Sequence, residues 1–77
     1  MRAGDFVKAM GEEIRECRDR VGISQEELAY RAGMSRNMLS AIELGDYNPS
    51  LRKLLALFAA LDQAPSALFL RAERRLR

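Results

Sequence analysis

The chain has no histidine, no tryptophan and a single cysteine among its 77 residues. Without histidine the commonest general acid–base group is missing, and one cysteine builds neither a disulfide framework nor a zinc finger. There is also no glycine-rich phosphate loop and no clustered carboxylate pair, so catalysis is set aside. No run approaches the ~18 consecutive apolar residues of a membrane span. The opening residues Met1 to Asp5 lack the apolar centre of a signal peptide. A lone Cys17 suits a reducing compartment, so a cytoplasmic protein is expected. No metal, cofactor or small-molecule ligand is expected.

What is present describes a globular chain. Hydrophobic residues make up 48% and charged residues 31%, enough apolar surface to offset chain ordering. A mass of 8.7 kDa allows a single domain over 1–77, with its core in 11–69 and a basic helix end in 70–77. That length leaves no room for a sensor domain, so the protein's own concentration is the expected input. So small a core also makes a second subunit a reasonable expectation. The net charge of +2 is weak guidance to a partner. Residues 71–77 hold Arg71, Arg74, Arg75 and Arg77 against Glu73, whereas residues 24–50 hold Arg31 and Arg36 against Glu26, Glu27, Glu43 and Asp46. Motif and spacing must therefore carry the functional reading.

The patterning predicts five short helices and no strand. Phe6, Met10, Ile14, Cys17 and Val21 mark one face of a first helix over about 5–20. Cys17 lies on that stripe as a small core residue. Glu12, Glu13, Arg15, Glu16, Asp19 and Arg20 mark the opposite, solvated face, and Gly22 closes the helix. Ser24 and Glu27 form a capping box for a second helix, and Ile23 with Leu28 form its staple. Gly33 ends it after about eight residues. Ser35 caps a third helix, with Leu39 and Ile42 inward, ending near Leu44. A turn cluster, Gly45 to Pro49, precedes Ser50, the cap of a fourth helix. Its stripe is read as Leu51, Leu54, Leu55, Phe58 and Leu61. Pro65 opens a fifth helix, with Leu68 and Phe69 inward and arginines toward its C-terminal end. The fold class is all-α, a compact five-helix domain.

Helices two and three, joined by Gly33-Met34-Ser35, have the layout of a helix-turn-helix, whose second helix can enter a major groove. Further residues extend the pattern: Ile14-Arg15, Arg18, Gly22, Ser24-Gln25-Glu26-Glu27-Leu28-Ala29, Ala32-Gly33, Ser35-Arg36, Ile42-Glu43, Gly45, Asn48-Pro49-Ser50-Leu51, Leu54-Leu55, Leu61 and Leu68-Phe69. With these, Gly11 to Phe69 resembles the Xre/Cro–CI, or lambda-repressor-like, helix-turn-helix family. Size and layout further resemble the controller proteins of restriction–modification systems, phage Cro-type regulators and antitoxins, with the length and the short helix after Asp62 favouring the first.

The resemblance implies a transcriptional regulator that binds double-stranded DNA. Arg36, Asn37, Met38, Ser40 and Ala41 of the third helix would face base edges. Arg36 can fork onto guanine, Asn37 onto adenine, and Met38 or Ala41 can touch a thymine methyl. Gln25, Ser35, Tyr47, Asn48, Arg52, Lys53 and Arg18 would meet phosphates. Arg52 and Lys53 oppose the dipole at the start of the fourth helix, which a phosphate would relieve. Arg18 and Glu43 would pair as a partly buried salt bridge. The sequence departs from the family pattern at Cys17, at Asp62 where glycine is usual, at Ala41 and Leu44 where longer polar side chains are common, and at Tyr47.

A homodimer on a pseudo-palindromic operator is expected, because one domain of this size makes few base contacts. Leu61, Leu68, Phe69, Leu70 and Leu76 are the candidate dimer surface. The competing reading is a protein–protein interaction module, antitoxin-like or coactivator-like, that uses the same fold without reading DNA.

Overall fold

Serine hydroxyls start three of the five helices. The computed structural model describes residues 1–77. In it α1 spans Ala3–Val21, α2 Gln25–Ala32, α3 Arg36–Leu44, α4 Leu51–Ala60 and α5 Pro65–Arg74. The Oγ atoms of Ser24, Ser35 and Ser50 accept the backbone N–H of Glu27, Met38 and Lys53 at 3.0, 3.1 and 3.2 Å. Each bond satisfies an amide that has no partner inside its helix. The return half of the expected capping box is not made, because the Glu27 carboxylate accepts from Arg31 Nε at 2.8 Å instead. Asp62 adopts φ 55°, the one non-glycine residue in the left-handed region, and so takes the place of the usual glycine after α4.

Every helix sends at least one fully buried side chain to the centre: Ile14, Leu28, Leu39, Leu57 and Leu68 are each 0% exposed. α1 packs across α3 and α5, while α2 packs on α3 and α4. Cys17 is buried among them with its thiol free, a packing residue as its place on the stripe implies. Phe69 stacks on Phe6 and meets Phe58 edge-on, each at a centroid distance of 5.8 Å.

Three sequence expectations need correction. The inner face of α4 is Leu54, Leu57 and Phe58, while Leu51 and Leu55 are 64% and 40% exposed. Leu61 and Leu68 are core residues, so their side chains have no surface left for a dimer contact. Phe69 and Leu76 are half-buried against the same core, which leaves Leu70 as the exposed member of that candidate set. Glu13 is not solvated either. It is 2% exposed and accepts from Arg71 Nε at 2.7 Å and Arg75 Nη2 at 2.9 Å.

Glu13 thus ties α1 to α5. Arg75 also pairs with Glu16 at 2.7 Å, and Arg71 donates to Gln63 Oε1 at 3.0 Å. Burial by itself raises the Glu13 carboxyl pKa, but the Arg75 and Arg71 donors outweigh it and hold the group below its ordinary 4.5. A carboxyl depressed in the folded state stabilises the fold above its unfolded pKa. That contribution drains away as pH falls through the folded value. The melting temperature of the parent is therefore expected to fall more between about pH 5 and about pH 3 than that of Glu13→Gln. Parallel thermal melts across that range check this, and equal falls refute it.

Gly11 sets the approach of α1 to α3. A Cβ there would overlap the carbonyl oxygen of Ile42 and lie 2.9 Å from that of Glu43. Both obstacles are backbone atoms, so no rotamer change relieves them. Gly11→Ala is expected to cost about 3 kcal/mol, overpacking outweighing the ~1 kcal/mol that alanine gains in a helix. Urea denaturation of the two proteins measures the difference.

Candidate nucleic-acid interface

The α2–α3 corner depends on a glycine. Gly33 has φ 72°, a conformation that costs a side-chain-bearing residue about 1–2 kcal/mol. There its N–H donates to Tyr30 O at 3.2 Å, and the next N–H, of Met34, donates to Ala29 O at 3.0 Å. These bonds close α2 within one turn. The chain then reaches Ser35, the cap of α3, with no intervening loop.

α3 presents two distinct faces. Leu39, Ile42 and Glu43 are buried. At 100° per residue the opposite ridge carries Asn37, Ala41 and Leu44, with Ser40 beside it. Arg36 and Asn37 are exposed, and Ser40 and Ala41 half-exposed. Met38 packs partly against the core, so it serves the fold more than the outer face. Leu44, 61% exposed, joins the ridge. Its i+7 spacing from Asn37 places it there, although the sequence marked it only as a position where longer polar side chains are common.

Behind α3, Glu43 is held from two other helices. Arg18 of α1 donates through Nε to Oε2 at 2.8 Å and through Nη2 to Oε1 at 3.2 Å. Arg18 Nη1 also donates to Ile23 O at 3.0 Å. Gln25 of α2 donates through Nε2 to Glu43 Oε1 at 2.8 Å. The forked bond to Glu43 raises the Arg18 pKa above its ordinary value, against the opposing effect of burial. The pairing expected of Arg18 and Glu43 is therefore present. Gln25 takes part in it, a role its position at the start of α2 did not announce.

The cations divide into two groups. Arg18, Arg20, Arg31, Arg71 and Arg75 are paired with carboxylates. Arg36 and Arg52 are exposed and face no carboxylate. Lys53 Nζ lies 3.4 Å from the Tyr47 hydroxyl and 5.7 Å from its ring centroid, so it too is free of acidic partners. Arg52, Lys53 and Tyr47, with exposed Asn48, lie at or just before the N-terminus of α4, where free amides and the dipole suit an anion, while Arg36 stands at the start of α3. Ser35 uses its oxygen as an acceptor within α3, and its hydroxyl hydrogen remains available to a phosphate.

A short helix, a glycine corner and a second helix with an unencumbered outer face define a helix-turn-helix protein. Residues 14–68 match the helix-turn-helix family, and the chain belongs to it. It is similar to an HTH-type transcriptional regulator of Methanothermobacter thermautotrophicus, 53% identical over 38 residues. That match covers 49% of this chain and 55% of the archaeal protein, little more than half its length. Among solved structures, the restriction–modification controller protein C.AhdI from Aeromonas hydrophila is 42% identical with a TM-score of 0.77, over 83% of this chain and 96% of that one. The controller protein C.Esp1396I, solved as a tetramer with its natural 35-base-pair operator, has a TM-score of 0.82 at 23% identity. It covers 90% of this chain and 91% of its own, and shares the fold.

The three-helix node around Glu43 makes a stability prediction. Arg18→Met or Glu43→Leu alone leaves a charge without its partner and is expected to cost about 3 kcal/mol. The double variant is expected to cost clearly less than the sum. Denaturant titration of the four proteins reports the coupling, and strict additivity would show two independent charges.

Proposed function

We propose that the chain is a sequence-specific DNA-binding transcriptional regulator that acts as a homodimer on a pseudo-palindromic operator, including that of its own gene. The outer face of α3 carries the proposal: it is free of core duty, begins with the unpaired Arg36 and Asn37, and is braced from behind through Glu43. A helix held this way lies in a major groove with its first turn at base edges. Arg36 and Asn37 read bases there, with Ser40 and Ala41 close against the groove floor. Arg52, Lys53, Tyr47, Asn48 and Ser35 hold phosphates, whereas Arg18 and Gln25, expected from the sequence to do the same, direct their side-chain donors to Glu43 and brace α3 instead. The names of the similar proteins, HTH-type regulator and controller protein, support this reading.

Two copies with half-sites about 34 Å apart give the contacts that one domain lacks. Leu70 on α5 and Leu51 and Leu55 on α4 are the apolar surface these helices leave exposed. They replace Leu61 and Leu68 as the residues that a dimer contact would cover.

Fluorescence anisotropy against a selected duplex and a scrambled one, across a salt series, tests the proposal. The selected duplex is expected to bind at least about 10³-fold tighter. Arg36→Ala is expected to cost about 1–3 kcal/mol and relax base preference, whereas Lys53→Ala weakens both duplexes and lowers the salt slope by about 1. If Arg36→Ala changes binding to no duplex, α3 is not the reader. If neither duplex binds, the protein-interaction reading takes over.

A further inference from the structure

The reading ridge of α3 is unusually short of polar atoms. Asn37 is its one amide, and the ridge ends in Leu44, 61% exposed. A single exposed leucine needs no explanation by itself. Leu44, however, borders a depression of about 140 Å³ with Arg15, Arg18, Gln25, Ser40 and Glu43. The polar wall of that depression is occupied internally: Arg18 and Gln25 both donate to Glu43. Beside these engaged groups, the end of the ridge presents the methyl groups of Leu44, with the Ala41 methyl one turn nearer the start of α3. Neither is a phosphate contact, since neither donates a hydrogen bond nor carries charge.

We propose that Leu44, supported by Ala41, reads the C5-methyl of a thymine in the major groove. The inference rests on α3 being the groove-entering helix. On the major-groove edges of the four standard base pairs, that methyl is the one apolar group, and it matches an aliphatic side chain that cannot hydrogen-bond. Asn37 and Leu44 are seven residues apart, about 10 Å along the helix axis. That span corresponds to about three base-pair steps of 3.4 Å. Each half-site is therefore expected to hold an adenine facing Asn37 and a thymine about three pairs away facing Leu44. Specificity at this position comes from excluding water between two apolar groups, where a polar side chain would have used a hydrogen bond.

The test removes one methyl group from the DNA. Duplexes are selected from a randomised library with the parent protein. Each thymine of the winning sequence is then replaced singly by deoxyuridine in both half-sites, and affinities of the parent and Leu44→Ala are measured by anisotropy. At one thymine per half-site, loss of the methyl is expected to weaken the parent about fourfold per half-site, the scale of burying one methyl group. The same replacement leaves Leu44→Ala unchanged. Melting temperatures of the two proteins should agree, because the side chain is largely outside the core. If deoxyuridine costs both proteins equally at every thymine, Leu44 does not read the methyl, though α3 can still be the reader. If no duplex is enriched at all, DNA recognition itself fails and this inference falls with it.

Discussion

The close approach of α1 to α3 is the constraint from which the rest of the site follows. At Gly11 the two helices touch backbone to backbone, against the carbonyls of Ile42 and Glu43. Seven residues on, about two turns along the same face of α1, Arg18 reaches the Glu43 carboxylate, and Gln25 reaches it from α2. A carboxylate in the interior is costly unless its lone pairs are taken up. Here a forked guanidinium and an amide take them up, and that geometry is demanding. The angle of α3 is thereby set by steric contact at one point and by directional bonds at another. Changing either would rotate the outer ridge of α3 relative to Arg52 and Lys53 at the start of α4.

A second carboxylate on α1 works in the same way toward the other side of the molecule. Glu13 gathers Arg71 and Arg75 of α5, and Arg75 also engages Glu12 and Glu16. In so small a domain apolar burial leaves little margin, and these bonds fasten the C-terminal helix where the core has only Leu68 and Ala72 from it. They also explain why charge distribution along the sequence misleads. The most basic stretch, residues 71–77, has two of its arginines consumed internally. The stretch with negative balance, residues 24–50, spends Glu43 on Arg18 and Glu27 on Arg31, and so exposes less negative charge than its composition suggests. Arg36 and Arg52, by contrast, stay free.

Local chemistry was legible in the sequence, and long-range chemistry was not. The caps at Ser24, Ser35 and Ser50 and the closing glycines follow from a few neighbouring residues, while the left-handed Asp62 was legible only as a departure from the family pattern, and the five helices fell within two residues of their expected limits at nearly every end. The Arg18–Glu43 pair was reached only through family resemblance. Glu13 could not be read, because its partners lie 58 and 62 residues away and its neighbours on α1 are also acidic. α4 failed for a different reason. Leu51, Leu54, Leu55, Leu57 and Phe58 spread over about 160° of the helix, wider than the face that is buried, so periodicity does not choose which edge turns inward. Only packing against α2 and α5 turned Leu57 inward and left Leu51 and Leu55 outside. The same ambiguity misplaced the dimer surface, since Leu61 and Leu68 fit an interface and a core equally well by composition.

Separating the two faces of α3 has a consequence for how specificity can change. Leu39, Ile42 and Glu43 carry the packing and the bracing, so substitution there alters the orientation of the whole helix. Arg36, Asn37 and Leu44 make no contact on which the core depends, and Ser40 and Ala41 contribute little to it. Exposed positions away from caps and cores tolerate exchange with small effects on stability. The outer face of α3 is therefore free to vary while the fold stays constant. The aliphatic character of Leu44, 61% exposed, is then not a requirement of how the helix folds.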